Sequence, residues 1–137
     1  MSCRPTSRLR SGPMRLLPDT HAALWLLDED LRLSSRADRM LTEESNEVLL
    51  SAAVVWEVAI KRSLKKLEAP DGFAELLLEA GASPLAVSPD HAEAVAHLPW
   101  HHRDPFDRLL IAQARIGGVT LISADDRLRA YDVRVEW

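Results

Sequence analysis

Four acidic residues stand where a predicted strand ends or a predicted helix begins: Asp19, Glu57, Asp107 and Asp125. In a parallel α/β sheet such points gather along one edge, so residues far apart in the sequence meet in one crevice. Carboxylates brought together repel one another and raise each other's pKa, and a divalent cation relieves this repulsion. A cation held there can activate a water molecule or bind a phosphate. The four acids therefore predict a metal-dependent hydrolase.

Two of these positions also have a simpler structural explanation, and a third acid has a neighbour that competes for the role of helix cap. Asp19 is a favoured type of residue for capping the helix that follows it. Glu57 stands four residues before Lys61, the favourable order for an ion pair on a helix surface. In the segment HRDPFDRLLIAQA, Asp104 is the better helix cap, which leaves Asp107 on the first helical turn as the predicted site residue.

Polar neighbours of these acids are candidates for supporting roles. A hydroxyl or a second carboxylate close to the four acids could hydrogen-bond to them and fix their orientation, and an arginine could clamp phosphate. An exposed aromatic ring could stack on a nucleobase. The candidates for support are Thr20, Asp104 and Ser123, and the candidates for contact with a nucleic acid are Trp100, Arg103 and Arg108.

The histidines do not indicate a zinc site. The spacing of His91, His97, His101 and His102 matches no compact set of zinc ligands, and the only cysteine, Cys3, is remote in the sequence. The sequence therefore predicts a site made of carboxylates and not a zinc site.

Strands alternate with helices along the chain, which predicts an α/β fold with a mostly parallel sheet covered on both faces. The predicted strands are residues 15–17, 47–52, 85–87, 119–123 and 133–136. The predicted helices are residues 21–27, 35–44, 54–66, 70–81, 89–97 and 104–117, followed by a helical turn at 125–129. Pro18 would interrupt a central strand, and it is acceptable only at the last position of the first one.

Length and composition are those of one globular domain. The chain has 137 residues, of which 47% are hydrophobic and 28% charged, and no apolar run is long enough to span a membrane. Residues 1–13 are basic and lack the apolar core of a secretory signal, so we expect a flexible extension followed by a single domain at 14–137. A lone cysteine fits a reducing cytoplasm. The net charge of −4 neither supports nor excludes nucleic acid as a partner.

Three kinds of acidic site can be compared with this pattern. A haloacid-dehalogenase-type phosphatase needs a second Asp two residues after the first, and His21 stands at that position. A receiver domain needs a lysine late in the chain, and none follows Lys66. A metal-dependent nuclease needs only three or four acids around its cations. The nuclease is therefore the best match.

The motifs also resemble a known family, the PIN domain, and specifically the VapC-type toxins of bacterial toxin–antitoxin pairs. The resemblance covers about residues 14–137 and rests on LLPDTHAALWLL, SAAVVWEVAIKRSLKKL, LPWHHRDPFDRLLIAQA and VTLISADDRL. The family pattern places its metal-binding acids at Asp19, Glu57, Asp107 and Asp125, the positions already selected by their place at strand and helix ends.

The resemblance implies a PIN-like three-layer α/β/α sandwich with endoribonuclease activity that depends on Mg²⁺ or Mn²⁺. Asp19, Asp107 and Asp125 would hold the cation, and Glu57 would orient these acids or a water bound to the cation. A small antitoxin would neutralise the enzyme, and a homodimer is expected. Two alternatives stay open: a catalytically silent binding module with the same fold, and a metal-dependent phosphatase that acts on small substrates.

Overall fold

The computed structural model of the protein describes residues 12–137, so the predicted extension at residues 1–13 lies almost entirely outside the described part. The strands are β1 (Arg15–Pro18), β2 (Glu47–Ser51), β3 (Ser83–Leu85), β4 (Thr120–Ile122) and β5 (Val135–Glu136). The α-helices are α1 (Thr20–Asp28), α2 (Ser35–Thr42), α3 (Ala52–Ser63), α4 (Phe73–Glu79), α5 (Pro89–Ala94) and α6 (Pro105–Gly117). Short 3₁₀ turns follow at Val95–His97 and Asp126–Ala130. No helix within this range is long and apolar enough to cross a membrane.

The five strands form one sheet in the order β3-β2-β1-β4-β5, and every neighbouring pair is parallel. The chain builds outward from β1 to β3 on one side and then returns to place β4 on the other side of β1. The strand order therefore reverses between β1 and β4. In open parallel sheets a crevice forms at the carboxyl ends of the strands at such a point.

Side chains of alternate residues enter two hydrophobic clusters. Leu17 and Leu121 belong to the larger cluster, which includes apolar residues of α3, α4 and α6, whereas Leu16 and Ile122 belong to a smaller cluster with residues of α2. Because successive residues of a strand point to opposite faces, helices cover both faces of the sheet. The predicted three-layer sandwich is confirmed.

Pro18 occupies the last position of β1, as predicted, although β1 is the central strand. The next residue, Asp19, restores the hydrogen-bond ladder by donating its backbone N–H to the carbonyl of Ile122 at 3.0 Å. The missing N–H of the proline therefore interrupts the sheet only where the strand ends.

Several predicted element boundaries are wrong, and three of them have a clear physical cause. Helix α4 begins at Phe73 and not at residue 70, because Gly72 adopts a left-handed conformation with φ of 70°. Helix α3 ends at Ser63, just before Lys65 turns left-handed with φ of 59°. Strand β3 covers Ser83–Leu85 and not 85–87, since pairing with β2 selects its register. Local apolar patterning does not report that pairing.

Candidate active site

All four predicted acids line a single cavity of about 270 Å³ at the point where the strand order reverses. Each acid comes from a different segment. Asp19 follows β1, Glu57 lies on α3, Asp107 lies on the first turn of α6, and Asp125 follows β4. The other lining residues are Thr20, His21, Trp25, Lys61, His102, Asp104, Ala124 and Arg127.

Asp19 caps α1 and faces the cavity at the same time. Its Oδ1 accepts a hydrogen bond from the backbone N–H of Ala22 at 2.9 Å, and its Oδ2 accepts one from the hydroxyl of Ser123 at 2.5 Å. The capping explanation and the active-site explanation are therefore both compatible with the structure. Burial raises the pKa of Asp19, while the hydrogen bonds from Ser123 and Ala22 act in the opposite direction.

Glu57 is buried, with 5% of its surface exposed, and both of its carboxylate oxygens have partners. The hydroxyl of Thr20 donates to Oε1 at 2.5 Å, and the ammonium of Lys61 donates to Oε2 at 2.6 Å. The predicted pair with Lys61 exists, but it lies in the wall of the cavity and not on an open helix surface. The hydrogen bond to Glu57 raises the pKa of Lys61, so the lysine stays a cation.

The start of α6 presents two acids with different tasks. Asp104 is the helix cap, and its Oδ1 accepts a hydrogen bond from the backbone N–H of Asp107 at 2.9 Å. Oδ2 of Asp107 faces the cavity and lies 2.8 Å from Nε2 of His102. Burial, together with the negative charges of Asp104 and Asp19, raises the pKa of Asp107 to about 6.

Asp125 begins the 3₁₀ turn after β4 and is held by Arg127. The backbone N–H and the guanidinium of Arg127 donate to both carboxylate oxygens at 2.9–3.1 Å. The hydrogen bonds from this guanidinium lower the pKa of Asp125. Ser123 accepts a hydrogen bond from the backbone N–H of Asp125 at 3.0 Å while donating to Asp19, so one hydroxyl links the two acids.

His102 also lines the cavity, although the sequence analysis did not select it. It is 6% exposed, and its Nε2 lies 3.7 Å from Asp125 as well as 2.8 Å from Asp107. Its backbone N–H donates to the hydroxyl of Tyr131 at 3.0 Å, which fixes the loop that carries the ring. A spacing rule for zinc ligands could not find this residue, because its partners come from two other segments of the chain.

A metal ion fits the donor set of this cavity. One atom each of His102, Asp107 and Asp125 lies within 4.8 Å of the other two, as ligands around a shared cation do. Two carboxylates suit Mg²⁺ or Mn²⁺, and an imidazole nitrogen suits transition metals better than Mg²⁺. These three residues could hold a metal, with Asp19 on the adjoining wall of the cavity.

Arg108 does not occupy the position predicted for a phosphate clamp. It is 2% exposed, and its guanidinium donates to the backbone carbonyls of Val95, Leu98, Pro99 and His102. Such an arginine holds the loop before α6 and has no surface to offer to RNA. Among the residues predicted to contact nucleic acid, only Trp100 and Arg103 are exposed.

A larger, mostly apolar groove of about 530 Å³ lies between α1, α2 and α4, away from the four acids. Aliphatic side chains such as Leu26, Leu41 and Leu77 line much of it. Its two acids, Glu43 and Glu44, are exposed neighbours with no histidine or buried carboxylate beside them in the lining. Chemistry is therefore assigned to the smaller cavity, where buried carboxylates converge.

Comparison with known proteins agrees with this fold. The PIN domain family matches residues 16–134 of the chain. Ribonuclease VapC22 of Mycobacterium tuberculosis is 31% identical over 123 residues, which cover 85% of this chain and 91% of that protein.

Two solved structures have the same architecture. VapBC2 from Rickettsia felis, bound to a DNA fragment from its promoter, has a TM-score of 0.67 at 12% identity and covers 90% of this chain and 98% of that chain. The toxin VapC20 of Mycobacterium tuberculosis has a TM-score of 0.64 at 18% identity, with 86% and 95% covered. At these identities the two structures show the fold alone. The family match over residues 16–134, together with the identity to VapC22, shows that the chain belongs to the PIN domain family.

Proposed function

We propose that this protein is a metal-dependent endoribonuclease and the toxin of a VapC-type toxin–antitoxin pair. The observation that carries the proposal is the convergence of Asp19, Glu57, Asp107 and Asp125 on one cavity from four separate segments of the chain. A fold needs no such convergence for stability, since burying carboxylates together is costly. The relative VapC22 is a ribonuclease by name, which supports RNA as the substrate.

Three of the four carboxylates are placed to bind a cation. Asp107 and Asp125 stand with His102 as the donors best placed for a cation. Asp19 lines the same cavity and is oriented by Ser123. We infer that all three carboxylates bind a cation, either Mg²⁺ or Mn²⁺, directly or through its waters. When bound, a divalent cation supplies charge for a phosphate and lowers the pKa of a water.

Glu57 has a different role, because Thr20 and Lys61 already satisfy its two oxygens. We infer that it holds the ammonium of Lys61 at the wall of the cavity. That ammonium lies where it can offset the negative charge of the site and contact a phosphate oxygen of the substrate. Glu57 therefore orients charge in the site and does not need to contact the cation itself.

The partners follow from the family. A small antitoxin would bind this toxin, and its basic residues would complement the acidic cavity. A homodimer is proposed on the same ground, and the exposed apolar residues Trp56, Leu64, Leu76 and Leu78 on and beside α3 and α4 are candidates for its interface. The protein would act in the cytoplasm, where its RNA substrate is found.

The test is cleavage of labelled total RNA by the purified protein with Mn²⁺, with EDTA, and with a matched pair of variants. Asp125→Asn changes a carboxylate in the cavity, whereas Asp126→Asn changes its neighbour, whose side chain is 94% exposed. We expect discrete fragments from the native protein and from Asp126→Asn, and loss of these fragments with EDTA or Asp125→Asn. Unchanged cleavage by a correctly folded Asp125→Asn variant would overturn the proposed site.

The two alternative functions give different results in the same preparation. A phosphatase of small substrates would hydrolyse a chromogenic phosphate monoester and leave RNA intact. A silent binding module would retain RNA or a partner without cleaving it, even when Mn²⁺ raises its melting temperature.

A further inference from the structure

The loop at residues 98–103 carries an indole ring in an unusual setting. Trp100 is 74% exposed, although large aromatic side chains are highly buried on average. It lies two residues before His102, which lines the carboxylate cavity. An exposed tryptophan next to a candidate active site is a feature that folding alone does not require.

One face of the indole is fixed by a buried cation. The Cζ atom of Arg108 lies 3.8 Å from the centre of the Trp100 ring, within the range of a cation–π contact. Arg108 cannot easily move, because its guanidinium donates hydrogen bonds to the carbonyls of Pro99 and Leu98 at 2.9 and 3.2 Å and to the hydroxyl of Tyr131 at 3.3 Å. The ring is therefore held in place on one side, while most of its surface is open.

The open side of the loop borders a second cavity, of about 490 Å³. Trp100, His101 and Arg103 line this cavity together with three residues that also line the carboxylate cavity, namely His102, Asp104 and Arg127. The two cavities are therefore neighbours that share three lining residues. A polymer bound with one phosphate among the carboxylates would place an adjoining nucleotide beside Trp100.

The chemistry of the second cavity suits an unpaired nucleotide. Each base has an aromatic face that can stack on an indole, whatever its sequence, and proteins recognise single-stranded RNA in this way. The exposed Arg103 brings positive charge to the same cavity, close to where the phosphates beside a stacked base would lie, whereas the charge of Arg127 is paired with Asp125. A small phosphate ester would have nothing to place there.

We propose that Trp100 is a stacking platform for an unpaired base of the RNA next to the phosphate held among the carboxylates. The proposal rests on the ribonuclease function proposed above and adds a subsite to it. Because Arg108 holds the ring before RNA arrives, little side-chain entropy is lost on binding. The platform favours single-stranded RNA over a paired stem, in which the bases are already stacked.

The test compares two labelled strands of equal length, an octamer of adenosine and an octamer of abasic ribose phosphate. Binding is measured with the Asp19→Asn variant, in which cleavage is expected to be lost. We expect the adenosine octamer to bind roughly ten-fold more tightly than the abasic one. Adding Trp100→Leu should remove this difference by weakening the adenosine octamer alone, while Trp100→Phe should keep most of it. Leu31→Ala, at an apolar residue that is 98% exposed and lies outside both cavities, is the control and should change the affinity for neither strand.

An equal loss for both strands in Trp100→Leu, or the absence of a preference for adenosine before the change, would overturn the platform. Photo-crosslinking of an octamer of 5-bromouridine gives a readout that does not depend on the variant's stability. The adduct is expected on Trp100, and an adduct confined to another aromatic residue would also contradict the proposal. Cleavage of total RNA without any base-dependent affinity would refute the platform but support the ribonuclease function. A base-dependent affinity without cleavage would support base stacking on Trp100 but contradict the ribonuclease function.

Discussion

The hydroxyl of Ser123 donates a hydrogen bond to Oδ2 of Asp19 at 2.5 Å, across 104 positions of sequence. The same hydroxyl accepts from the backbone N–H of Asp125 at 3.0 Å. One buried side chain therefore joins the ends of β1 and β4 and sets the position of two carboxylates. The geometry of the site depends on this serine as well as on the acids.

Ser123→Ala is expected to lower RNA cleavage at neutral pH by about ten-fold. The change removes a hydrogen bond that favours ionised Asp19, and it frees both acids to move. Loss of a buried hydrogen bond to a charged group should also lower the free energy of unfolding by about 2 kcal/mol. Rates measured against pH, with chemical denaturation alongside, provide the check. A normal rate in the alanine variant would show that the serine does not orient Asp19.

Metal binding should strengthen as the pH rises from 5 to 7, because Asp107, with a pKa of about 6, must lose its proton to ligate. Titration calorimetry with Mn²⁺ at several pH values measures this dependence. Asp107→Asn should bind weakly at every pH. An affinity that does not change between pH 5 and 7 would contradict a ligand role for Asp107.

The stability of the metal-free protein should fall as the pH rises, whereas metal binding strengthens. The pKa of Asp107 is higher in the folded state than in the unfolded chain, so its protonated form stabilises the fold below about pH 4, and this contribution is lost as the pH rises through about 6. In EDTA, the ionisation of Asp107 should therefore lower the melting temperature by roughly 5 °C between pH 4.5 and 7. Melting curves of the native protein and of Asp107→Asn isolate the contribution, which should be missing from the variant.

His102→Asn should weaken Mn²⁺ binding more than Mg²⁺ binding, by roughly ten-fold in relative affinity. The imidazole nitrogen favours the transition metal, whereas Mg²⁺ prefers oxygen ligands. Competition between the two ions, followed by the electron paramagnetic resonance of Mn²⁺, measures the ratio directly. His97→Asn, at an exposed histidine, is the control. An unchanged ratio would mean that His102 only orients Asp107.

Lys61→Met should make the metal-free protein less stable and its cavity more attractive to cations. The change leaves buried Glu57 without its partner at Oε2 and removes a positive charge from the cavity wall. We expect a lower melting temperature in EDTA and a larger rise on addition of Mn²⁺ than in the native protein. Lys66→Met, at an exposed position outside the cavity, should change neither value.

The two arginines before and within α6 should respond differently to the same substitution. Arg108→Met leaves several buried carbonyls without donors and should lower the free energy of unfolding by roughly 3 kcal/mol. Arg103→Met should leave the melting temperature unchanged and weaken RNA binding, with a reduced dependence on salt. Similar melting temperatures for both variants would contradict the structural role of Arg108.

The sequence by itself determined the elements and the four acids of the cavity. Asp104 followed by Pro105 is a local capping signal, and alternation of strands and helices restricts the sheet to mostly parallel topologies. Strand ends in such a sheet share one edge, so Asp19 and Asp125 could be placed there without coordinates. Each of these inferences depends on residues close together in the chain, where backbone geometry limits the outcome.

Only the tertiary structure decided what surrounds those acids. His102 and Arg108 both lie near the start of α6, yet the former faces Asp107 and Asp125 while the latter is buried under Trp100. Sequence analysis selected Arg108 as a possible phosphate clamp and did not select His102, because it weighed residue types and spacing without knowing which side of the loop is covered. The direction of a side chain depends on which distant segments pack against it, as Tyr131 does here, and those contacts form only when the chain folds.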